Sequence, residues 1–495
     1  MNPTYPRLTF FLQRIALVLL SVLPIGFSLF SQLGYLLENW PLSSFFRIGL
    51  LIAMLLAPLA AILLRDNLWG TIESTGYIPL VWIVALAVAL RLVVLPLLST
   101  NFSSDMQDMH LFAVDVVSGQ PFANLETYQG IPWAVHLDMT GLVTSILYRI
   151  FGASPTTAKM FMVVLAALTV WLVYLAGKQF AGARAGFIAA SLYGTLPSLV
   201  CYTGVLSGEH IALLLITLSV LLYGRIKNSE TNQQSTRALG YILCGITTGL
   251  IDWFRPGGII LLTALLISDL IYLARDKALY KQLIPLGLLV ISYLAVSNTA
   301  VLLAERFFQT DIMSAFQQRG HFILLGLNPE HKGVINNPDR EIAFDAYERF
   351  GDDNAAANGY LIQLAIDRLE GYSVLELFRS KFDLIWSNHW QLFQVSLNGS
   401  NDHEVVRVMS DIDSFLYLII TIFIGVNIVT SFINRPRPAV FVMQLFLLGF
   451  AISSLILEAQ NRYGIITFPY QILLGSLGMS ELAVFVLKRG NRSSL

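Results

Sequence analysis

Long apolar runs alternate with short polar connections along most of the chain. Each run is about 20 residues long, which is the length an α-helix needs to cross a bilayer. The runs lie at 10–31, 45–64, 77–98, 157–177, 184–202, 209–225, 238–253, 257–274, 281–305, 413–433, 438–456 and 463–487. Strand-type alternation is absent from the sequence, so this pattern predicts an all-α polytopic membrane protein with about 12 transmembrane helices.

The polar connections predict which side of the membrane each one faces. Lys and Arg concentrate in alternate connections, as expected for cytoplasmic loops when the N-terminus is inside. These basic residues are Arg65, Lys178, Arg184, Arg225, Lys227, Arg237, Arg275, Lys277, Lys281, Arg435, Arg437, Lys488, Arg489 and Arg492. The remaining connections, which include the largest polar segment, are therefore predicted to be extracytoplasmic.

The same pattern divides the chain into four parts. We predict two additional N-terminal transmembrane helices at 1–76 and a transmembrane core at 77–308. A small helical extracytoplasmic domain follows at 309–412, and the C-terminal transmembrane helices lie at 413–495. Within the core, residues at about 104–151 form the first large outer loop. Its two helical stretches are too polar or too short to span, so we expect them to lie along the membrane interface.

The composition and charge of the chain exclude some classes of function. The chain has 495 residues, of which 55% are hydrophobic and 13% charged, and its formal net charge is −1. No basic stripe suggests nucleic-acid binding. No phosphate-binding glycine loop follows a strand pattern, and nucleotide donors are cytoplasmic, so nucleotide-dependent chemistry is not expected.

Candidate chemistry collects on the predicted outer side. Ionisable residues at membrane depth are costly and usually mark function. Four separate outer connections supply such residues: Asp105, Asp108, His110, Glu209, His210, Arg255, Glu458 and Arg462. A carboxylate can deprotonate an attacking hydroxyl, and arginines can stabilise charge on a departing phosphate. Together these roles describe transfer of a group from a lipid phosphate.

Several stretches match one family in order. In "DMQDMHLFAVDVVSG" Asp105 and Gly119 keep the spacing of a D-E-x-x-Y-x-x-x-A…L-x-x-G pattern, but Met106 replaces the second acid, for which Asp108 can substitute. The second matching stretch ends in "LYRIFG". The third contains an acid, Glu209, that follows a Pro-terminated helix. From about residue 80 onward the chain resembles the GT-C glycosyltransferases, in the branch that contains protein O-mannosyltransferases and aminoarabinose transferases (glycosyltransferase family 39).

Two later motifs extend the resemblance. "GLIDWFRPGG" resembles G-L-x-x-x-x-R-P, and "EAQNRYGIITFPY" resembles E-x-x-x-R-Y-x-x-x-x-x-P. The first places Arg255, and the second places Glu458, Arg462 and Tyr463, at the family's polar positions. The loop "GLNPEHKGVIN" also resembles a G-x-N-x-x-x-x-G-x-x-N element of a bacterial subgroup.

The resemblance implies a GT-C fold and an inverting transferase of the bacterial inner membrane, with an extracytoplasmic active site. A polyprenyl-phosphate sugar would be the donor, and a glycan, lipid or protein the acceptor. Asp105 would be the general base. Arg255 and Arg462 would bind the departing lipid phosphate, and Glu209 would orient Asp105, the acceptor or a basic partner.

Alternatives remain open at this stage. A transporter or flippase of lipid-linked solutes would also carry buried charges, although it should show inverted-repeat symmetry. A GT-C-like ligase or polymerase with a diphosphate-linked donor shares the fold. Asp105, Asp108, His110, Glu209 and His210 could hold a divalent metal, although their spacing matches no common metal motif.

Overall fold

The computed structural model describes residues 5–39, 78–98, 102–120, 135–228, 234–273, 279–308, 319–351, 353–387, 389–397 and 403–492, and this part of the chain contains helices and no β-strand. The helices of its first half are α1 (Tyr5–Leu20), α2 (Phe27–Asn39), α3 (Ile78–Val94), α4 (Asp105–Ser118), α5 (Val135–Phe151), α6 (Pro155–Ala181), α7 (Ala183–Thr195), α8 (Pro197–Tyr202), α9 (Glu209–Asn228) and α10 (Gln234–Phe254). Those of the second half are α11 (Gly258–Leu273), α12 (Leu279–Phe308), α13 (Gly320–Gly326), α14 (Asn337–Phe350), α15 (Asn354–Asp367), α16 (Val374–Trp386), α17 (Trp390–Ser396), α18 (His403–Asn434), α19 (Pro438–Ile456) and α20 (Phe468–Arg492). A π-helical turn (Ser21–Gly26) joins α1 to α2, and 3₁₀ turns occupy Leu95–Leu97 and Asn461–Thr467.

Six stretches among the described residues are long and apolar enough to cross a membrane: Phe11–Gly34, Pro79–Leu97, Pro155–Ala181, Glu209–Asn228, Val406–Asn434 and Pro438–Ile456. Met139–Phe151, Gly258–Tyr272 and Leu283–Thr299 form shorter apolar helices. The predicted all-α polytopic class is therefore confirmed, whereas the number of about 12 spans is not. The predicted span 45–64 lies outside the described residues, and the one at 184–202 is divided between α7 and α8.

Side-chain contacts define two ends of the helix bundle. At one end, which we call the basic end, Lys227 contacts Asp269 and donates to the Tyr241 hydroxyl at 2.9 Å. Arg437 donates to the Phe180 carbonyl at 2.5 Å at this end, from the connection between α18 and α19. These basic residues are among those that the sequence predicted to share one side of the membrane.

Helix α4 lies at the other end and packs against α5. Its apolar face is buried, as its amphipathic pattern predicted, through Met106, Met109 and Phe112. Asp108 and Asp115 on the opposite face are also buried, so these two carboxyl groups meet protein rather than water.

A short-helix segment, α13 to α17, covers part of this end. Helices α14 and α16 of this segment begin with side-chain caps. The Ser373 hydroxyl accepts from the Glu376 amide at 3.3 Å at the start of α16, and the Asn336 side chain accepts from the Asp339 amide at 2.9 Å at the start of α14. Phe27 of α2 stacks on Phe382 of α16 at 5.3 Å between ring centroids, which fixes the segment to the bundle.

Asp339 is the polar centre of the short-helix segment. It is 1% exposed and accepts from Arg368 at 2.5 Å, Asn328 at 2.7 Å and Asn336 at 2.9 Å. Burial disfavours its charge, but these hydrogen bonds outweigh that cost and lower the pKa of the Asp339 carboxyl below its usual range.

Replacing Asp339 with Asn should therefore lower the free energy of unfolding by about 1–3 kcal/mol at neutral pH, because the partly buried Arg368 loses its charged partner. The wild-type contribution should be complete above the ordinary aspartate pKa and disappear as the pH falls through the lowered one. Thermal unfolding of the purified protein at several pH values tests this. Glu341→Gln, an exposed change on α14, is the control, and equal unfolding temperatures for both variants would contradict the prediction.

Candidate active site

Four connections bring polar side chains together at the α4 end of the bundle. They are the start of α4, the junctions that begin α9 and end α10, and the segment 457–463 between α19 and α20. The residues they supply were predicted as site residues, and the structure links six of them in one network: Asp105, Glu209, Arg255, Glu458, Arg462 and Tyr463.

The network begins at the first residue of α4. Arg462 donates through Nη2 to Asp105 Oδ2 at 2.7 Å and through Nε to Gln460 Oε1 at 2.9 Å. Gln460 in turn donates to Glu458 Oε1 at 2.6 Å. The planar guanidinium of Arg462 thus joins the α4 carboxylate to the segment before α20 through two of its N–H donors.

The network continues through an aromatic ring. The Tyr463 hydroxyl lies 3.4 Å from Glu458 Oε1, and the Arg255 guanidinium lies over the Tyr463 ring, 4.5 Å from its centroid. Arg255 Nε is 3.5 Å from Glu209 Oε1. Two arginines therefore lie among three carboxylates, and a cation–π contact helps to hold the second arginine in place.

The turn that ends α10 explains the position of Arg255. Pro256 disfavours continuation of the helix, and Asp252 Oδ1 accepts from the amides of Gly257 and Gly258 at 3.1 and 2.7 Å. Asp252 is itself held by the Tyr293 hydroxyl of α12 at 2.6 Å. This bonded turn directs Arg255 toward the network.

Glu209 is placed by a close approach of two backbones. A Cβ on the preceding residue, Gly208, would lie 2.4 Å from the Phe254 carbonyl oxygen, so only glycine allows α9 to begin beside the end of α10. At the first turn of α9 the carboxylate of Glu209 also faces the partial positive charge of a helix N-terminus.

Arg462 is fixed by the short-helix segment. Its amide donates to Gln391 Oε1 at 3.1 Å, and the Gln391 amide donates to Asn461 Oδ1 at 3.2 Å. Asn461 also donates to the Leu384 carbonyl at 2.7 Å. The position of Arg462 thus depends on residues about 70 positions earlier in the chain.

Burial sets the electrostatics of the site. Burial opposes the charge on Arg462, but Asp105, followed by Tyr202 and Glu209, raises its pKa above the ordinary value. Burial likewise opposes the charge on Arg255, but the nearby Glu209 carboxylate outweighs burial and raises the pKa of the Arg255 guanidinium. Burial raises the pKa of Glu458, although Gln460 and Arg462 oppose the shift. Both arginines therefore stay charged, and burial makes Glu458 take a proton more readily than an exposed glutamate does.

Three further predicted residues lie beside the network rather than in it. His110 Nδ1 is 2.6 Å from the Tyr148 hydroxyl of α5, and burial lowers the pKa of its imidazole. His210 Nε2 is 3.1 Å from the Tyr202 carbonyl oxygen, so it holds α8 against α9. Asp108 is buried at 2% exposure on α4, one turn after Asp105.

Sequence reasoning did not assign roles to Gln460, Gln391 and Tyr202. Gln460 lies between Glu458 and Arg462 in a motif that was recognised, so its spacing offered a signal. Tyr202 interacts electrostatically with Glu209 and both arginines, but within an apolar run it carried no signal. Gln391 belongs to a distant polar segment, and only the fold brings it to Arg462.

A small open crevice lies at the start of α4 and is lined by Phe102, Ser103, Met106, Gly204, Val205, Val395 and Ser396. Among the described residues, no group of three His, Cys, Asp or Glu side chains is arranged to hold a metal ion.

Residues 138–301 match the family model for dolichyl-phosphate-mannose-protein mannosyltransferases. The resemblance to GT-C glycosyltransferases is confirmed. The matched stretch of this GT-C-like chain contains Glu209 and Arg255, whereas Asp105, Glu458 and Arg462 lie on either side of it. No curated protein sequence matches the chain.

Solved structures similar to this GT-C-like chain include two of membrane glycosyltransferases. One is ArnT from Cupriavidus metallidurans bound to undecaprenyl phosphate, with 14% identity, a TM-score of 0.38 and coverage of 82% of this chain and 78% of that one. Another is the oligosaccharyltransferase AglB from Archaeoglobus fulgidus with an inhibitory peptide and a dolichol phosphate, with 14% identity, a TM-score of 0.41 and coverage of 84% and 52%. The chain thus spans about half the length of AglB.

Proposed function

We propose that this protein is an inverting glycosyltransferase that moves a sugar from a polyprenyl phosphate to a hydroxyl-bearing acceptor on the extracytoplasmic face of a membrane. One observation carries the proposal: Arg462 and Arg255 belong to the same buried network as Asp105. This arrangement offers a phosphate site and a base within reach of one substrate. The family match of residues 138–301 supports the same chemistry.

Phosphate binding is assigned to the two arginines. A guanidinium can donate two parallel hydrogen bonds to phosphate oxygens, and both arginines are mostly buried, where such bonds are strong. A lipid-linked donor would bring its phosphate to this depth because its polyprenyl tail lies in the bilayer. The side chains of Glu209 and Gln460 would hold the guanidinium groups in position.

The reaction is a single displacement. An acceptor oxygen attacks the anomeric carbon while the bond from that carbon to the phosphate oxygen breaks, which inverts the configuration. The acceptor proton passes to Asp105, and the bonding electrons leave with the polyprenyl phosphate. The phosphate thereby gains one negative charge, which Arg255 and Arg462 stabilise more strongly in the transition state than in the donor complex.

The ion pair between Arg462 and Asp105 implies that the donor binds before Asp105 can act as a base. While Asp105 accepts from Arg462 at 2.7 Å, the positive charge disfavours protonation of the carboxylate, which makes it a poor base. A donor phosphate that binds Arg462 competes for this guanidinium and leaves Asp105 more basic. The base would thus become active only after the donor is bound, which protects the enzyme from unproductive acceptor binding.

Glu458 balances the charge of the site. The donor adds a negative phosphate to a network that already holds three carboxyl groups. Because burial raises the pKa of Glu458, this carboxyl can take a proton when the phosphate binds. In this proposal the acceptor hydroxyl, from a glycan, a lipid or a protein, approaches Asp105 from the crevice at the start of α4, whose lining includes Ser103 and Ser396.

A transfer assay tests the function. Purified protein in proteoliposomes would receive polyprenyl-phosphate sugars with a labelled sugar, together with membrane acceptors, and we expect label to move to an acceptor with inversion at the anomeric carbon. An identical set with polyprenyl-diphosphate sugars is the control for donor class. Label that only changes leaflet would identify a transporter, and transfer only from the diphosphate would identify a ligase or polymerase.

A further inference from the structure

Lys381 of α16 is a fully buried lysine outside the network. Its Nζ donates to three backbone carbonyl oxygens, those of Gly326 at 2.8 Å, Leu455 at 2.9 Å and Leu457 at 2.7 Å, and its side chain is 0% exposed. A buried lysine is costly unless its charge is compensated. Here the three acceptors use all three N–H groups of an ammonium ion.

Two of these carbonyls belong to the end of α19. The last carbonyls of a helix lack an intrahelical partner, and this helix ends at Ile456, so Lys381 supplies the missing donors. Leu457 is followed directly by Glu458, Gln460 and Arg462. The lysine therefore binds the backbone immediately before the network.

Helix α13 and the loop that follows it hold the same segment from another side. The Glu458 amide donates to the Phe322 carbonyl at 2.9 Å, and the Ala459 amide donates to the Gly333 carbonyl at 2.8 Å. Gly326 permits this approach, since a Cβ there would lie 2.3 Å from the Ile456 carbonyl oxygen.

The loop has a defined shape of its own. Asn328 Oδ1 accepts from the amides of Glu330 and His331, at 2.9 and 3.2 Å. Gly333 adopts a positive φ of 72°, which favours glycine. The loop therefore shapes the G-x-N-x-x-x-x-G-x-x-N element of the sequence into a support for residues 457–459.

We propose that Lys381 is a positioning residue of the active site, which with this loop fixes the segment Leu457–Arg462 so that Arg462 and Glu458 face the donor phosphate. The inference rests on the proposed function. The hydrogen bonds of the Lys381 amine go to backbone carbonyls, so it acts through the residues that follow them.

The protonation state of Lys381 should control this positioning. Burial lowers the pKa of the amine to about 7, and Glu458 opposes the shift. A neutral amine has two N–H groups for three carbonyls, so one carbonyl loses its donor as the pH rises through this value. Glu458 is the charged group whose interaction with the Lys381 amine is resolved. The elements that pack around the amine also carry Arg379 and Asp383 on α16, and Glu330, His331 and Lys332 on the loop after α13.

The expected loss of activity differs from unfolding. Because the folded-state pKa lies below the ordinary lysine value, the unfolded chain binds the proton more tightly between these two values. This group therefore makes the free energy of unfolding rise with pH in that window. Transfer should fall above about pH 7 without a fall in unfolding temperature from this group.

The test compares wild type, Lys381→Met and Lys381→Arg in the transfer assay, each from pH 6 to 9. We expect Lys381→Met to transfer about 10- to 100-fold more slowly and to raise the donor KM, because Arg462 is displaced. Lys381→Arg keeps a permanent charge with several donors, so it should retain transfer and lose the decline above pH 7. Arg379→Met, an exposed change on the same helix, should behave as wild type.

Amide hydrogen exchange of the peptide 455–463 gives a readout that needs no activity. Exchange corrected for intrinsic rate should be faster in Lys381→Met and unchanged in Arg379→Met, with a peptide from α9 as internal reference. Unchanged exchange and an unchanged pH profile in both Lys381 variants would overturn the proposal. If Lys381→Met does not fold, Lys381→Gln, which offers two donors, takes its place. If wild type transfers no sugar, the proposed function fails while exchange still decides the role of Lys381.

Discussion

Replacing Asp105 with Asn should lower kcat for sugar transfer by about 10²- to 10⁴-fold, the range expected when a general base is removed. The amide has nearly the same shape as the carboxylate, and its Oδ1 can still accept the hydrogen bond from Arg462 that Asp105 accepts at 2.7 Å. The geometry of the phosphate site should therefore be kept. Only the ability to take the acceptor proton is lost.

Kinetics of the Asp105→Asn variant would separate binding from chemistry. We expect the donor KM to stay near that of wild type or to fall, because the arginine no longer pairs with a carboxylate. Asp115→Asn, a change to a buried carboxyl on the same helix, is the matched control for folding and charge. If Asp105→Asn transferred at the wild-type rate while folding normally, Asp105 could not be the base, and Glu209 or Glu458 would become the candidates.

The sequence predicted those residues of the candidate site that are charged although their neighbours in the sequence are apolar. Asp105, Glu209, Arg255 and Arg462 stand out because charged side chains beside apolar runs need a reason. Their spacing within short motifs made them recognisable without knowledge of the fold. The alternation of basic clusters further predicted that they share one side, and the structure places all four in one network.

The parts that the sequence did not reveal depend on long-range contacts. Lys381 appears in an ordinary amphipathic helix, and only the fold places its amine against Gly326, Leu455 and Leu457. The division of the run 184–202 arises because Pro197 has no amide hydrogen to continue α7, so a new helix begins there. Helix count is also difficult to predict, since apolar runs do not show which helices shorten or break within the bundle.

The contacts of Arg462 in the network are of two kinds, three that are fixed and one that a substrate can replace. Arg462 is anchored through its backbone by Gln391, through its Nε by Gln460 and through the preceding segment by Lys381. Its contact with Asp105 is the exchangeable one, because a phosphate oxygen can take the place of the carboxylate. A site that is rigid in three contacts and exchangeable in the fourth suits a substrate that must arrive and leave as an anion.

Replacing Arg462 with Met should have the second large effect, because it removes both the proposed phosphate ligand and the partner of Asp105. We expect the donor KM to rise about 10- to 100-fold, from the loss of hydrogen bonds to a charged group. We also expect kcat to fall by about 10²- to 10³-fold, since charge on the departing phosphate is less stabilised. Arg462→Lys should be intermediate, because an ammonium group cannot hold Asp105, Gln460 and phosphate with one planar fork.

Product inhibition gives the sharpest measure of the role of Arg462. Polyprenyl phosphate carries one more negative charge than the phosphodiester donor, so its inhibition constant should rise more than the donor KM in Arg462→Met. Arg149→Met, an exposed change on α5, is the control and should leave both constants unchanged. In the double variant Asp105→Asn/Arg462→Met, the losses of transfer rate caused by the two changes should not be additive, since the two residues are in direct contact. If kcat falls while inhibition by polyprenyl phosphate is unaltered, Arg462 serves only to hold Asp105, and the phosphate site must be built on Arg255 alone.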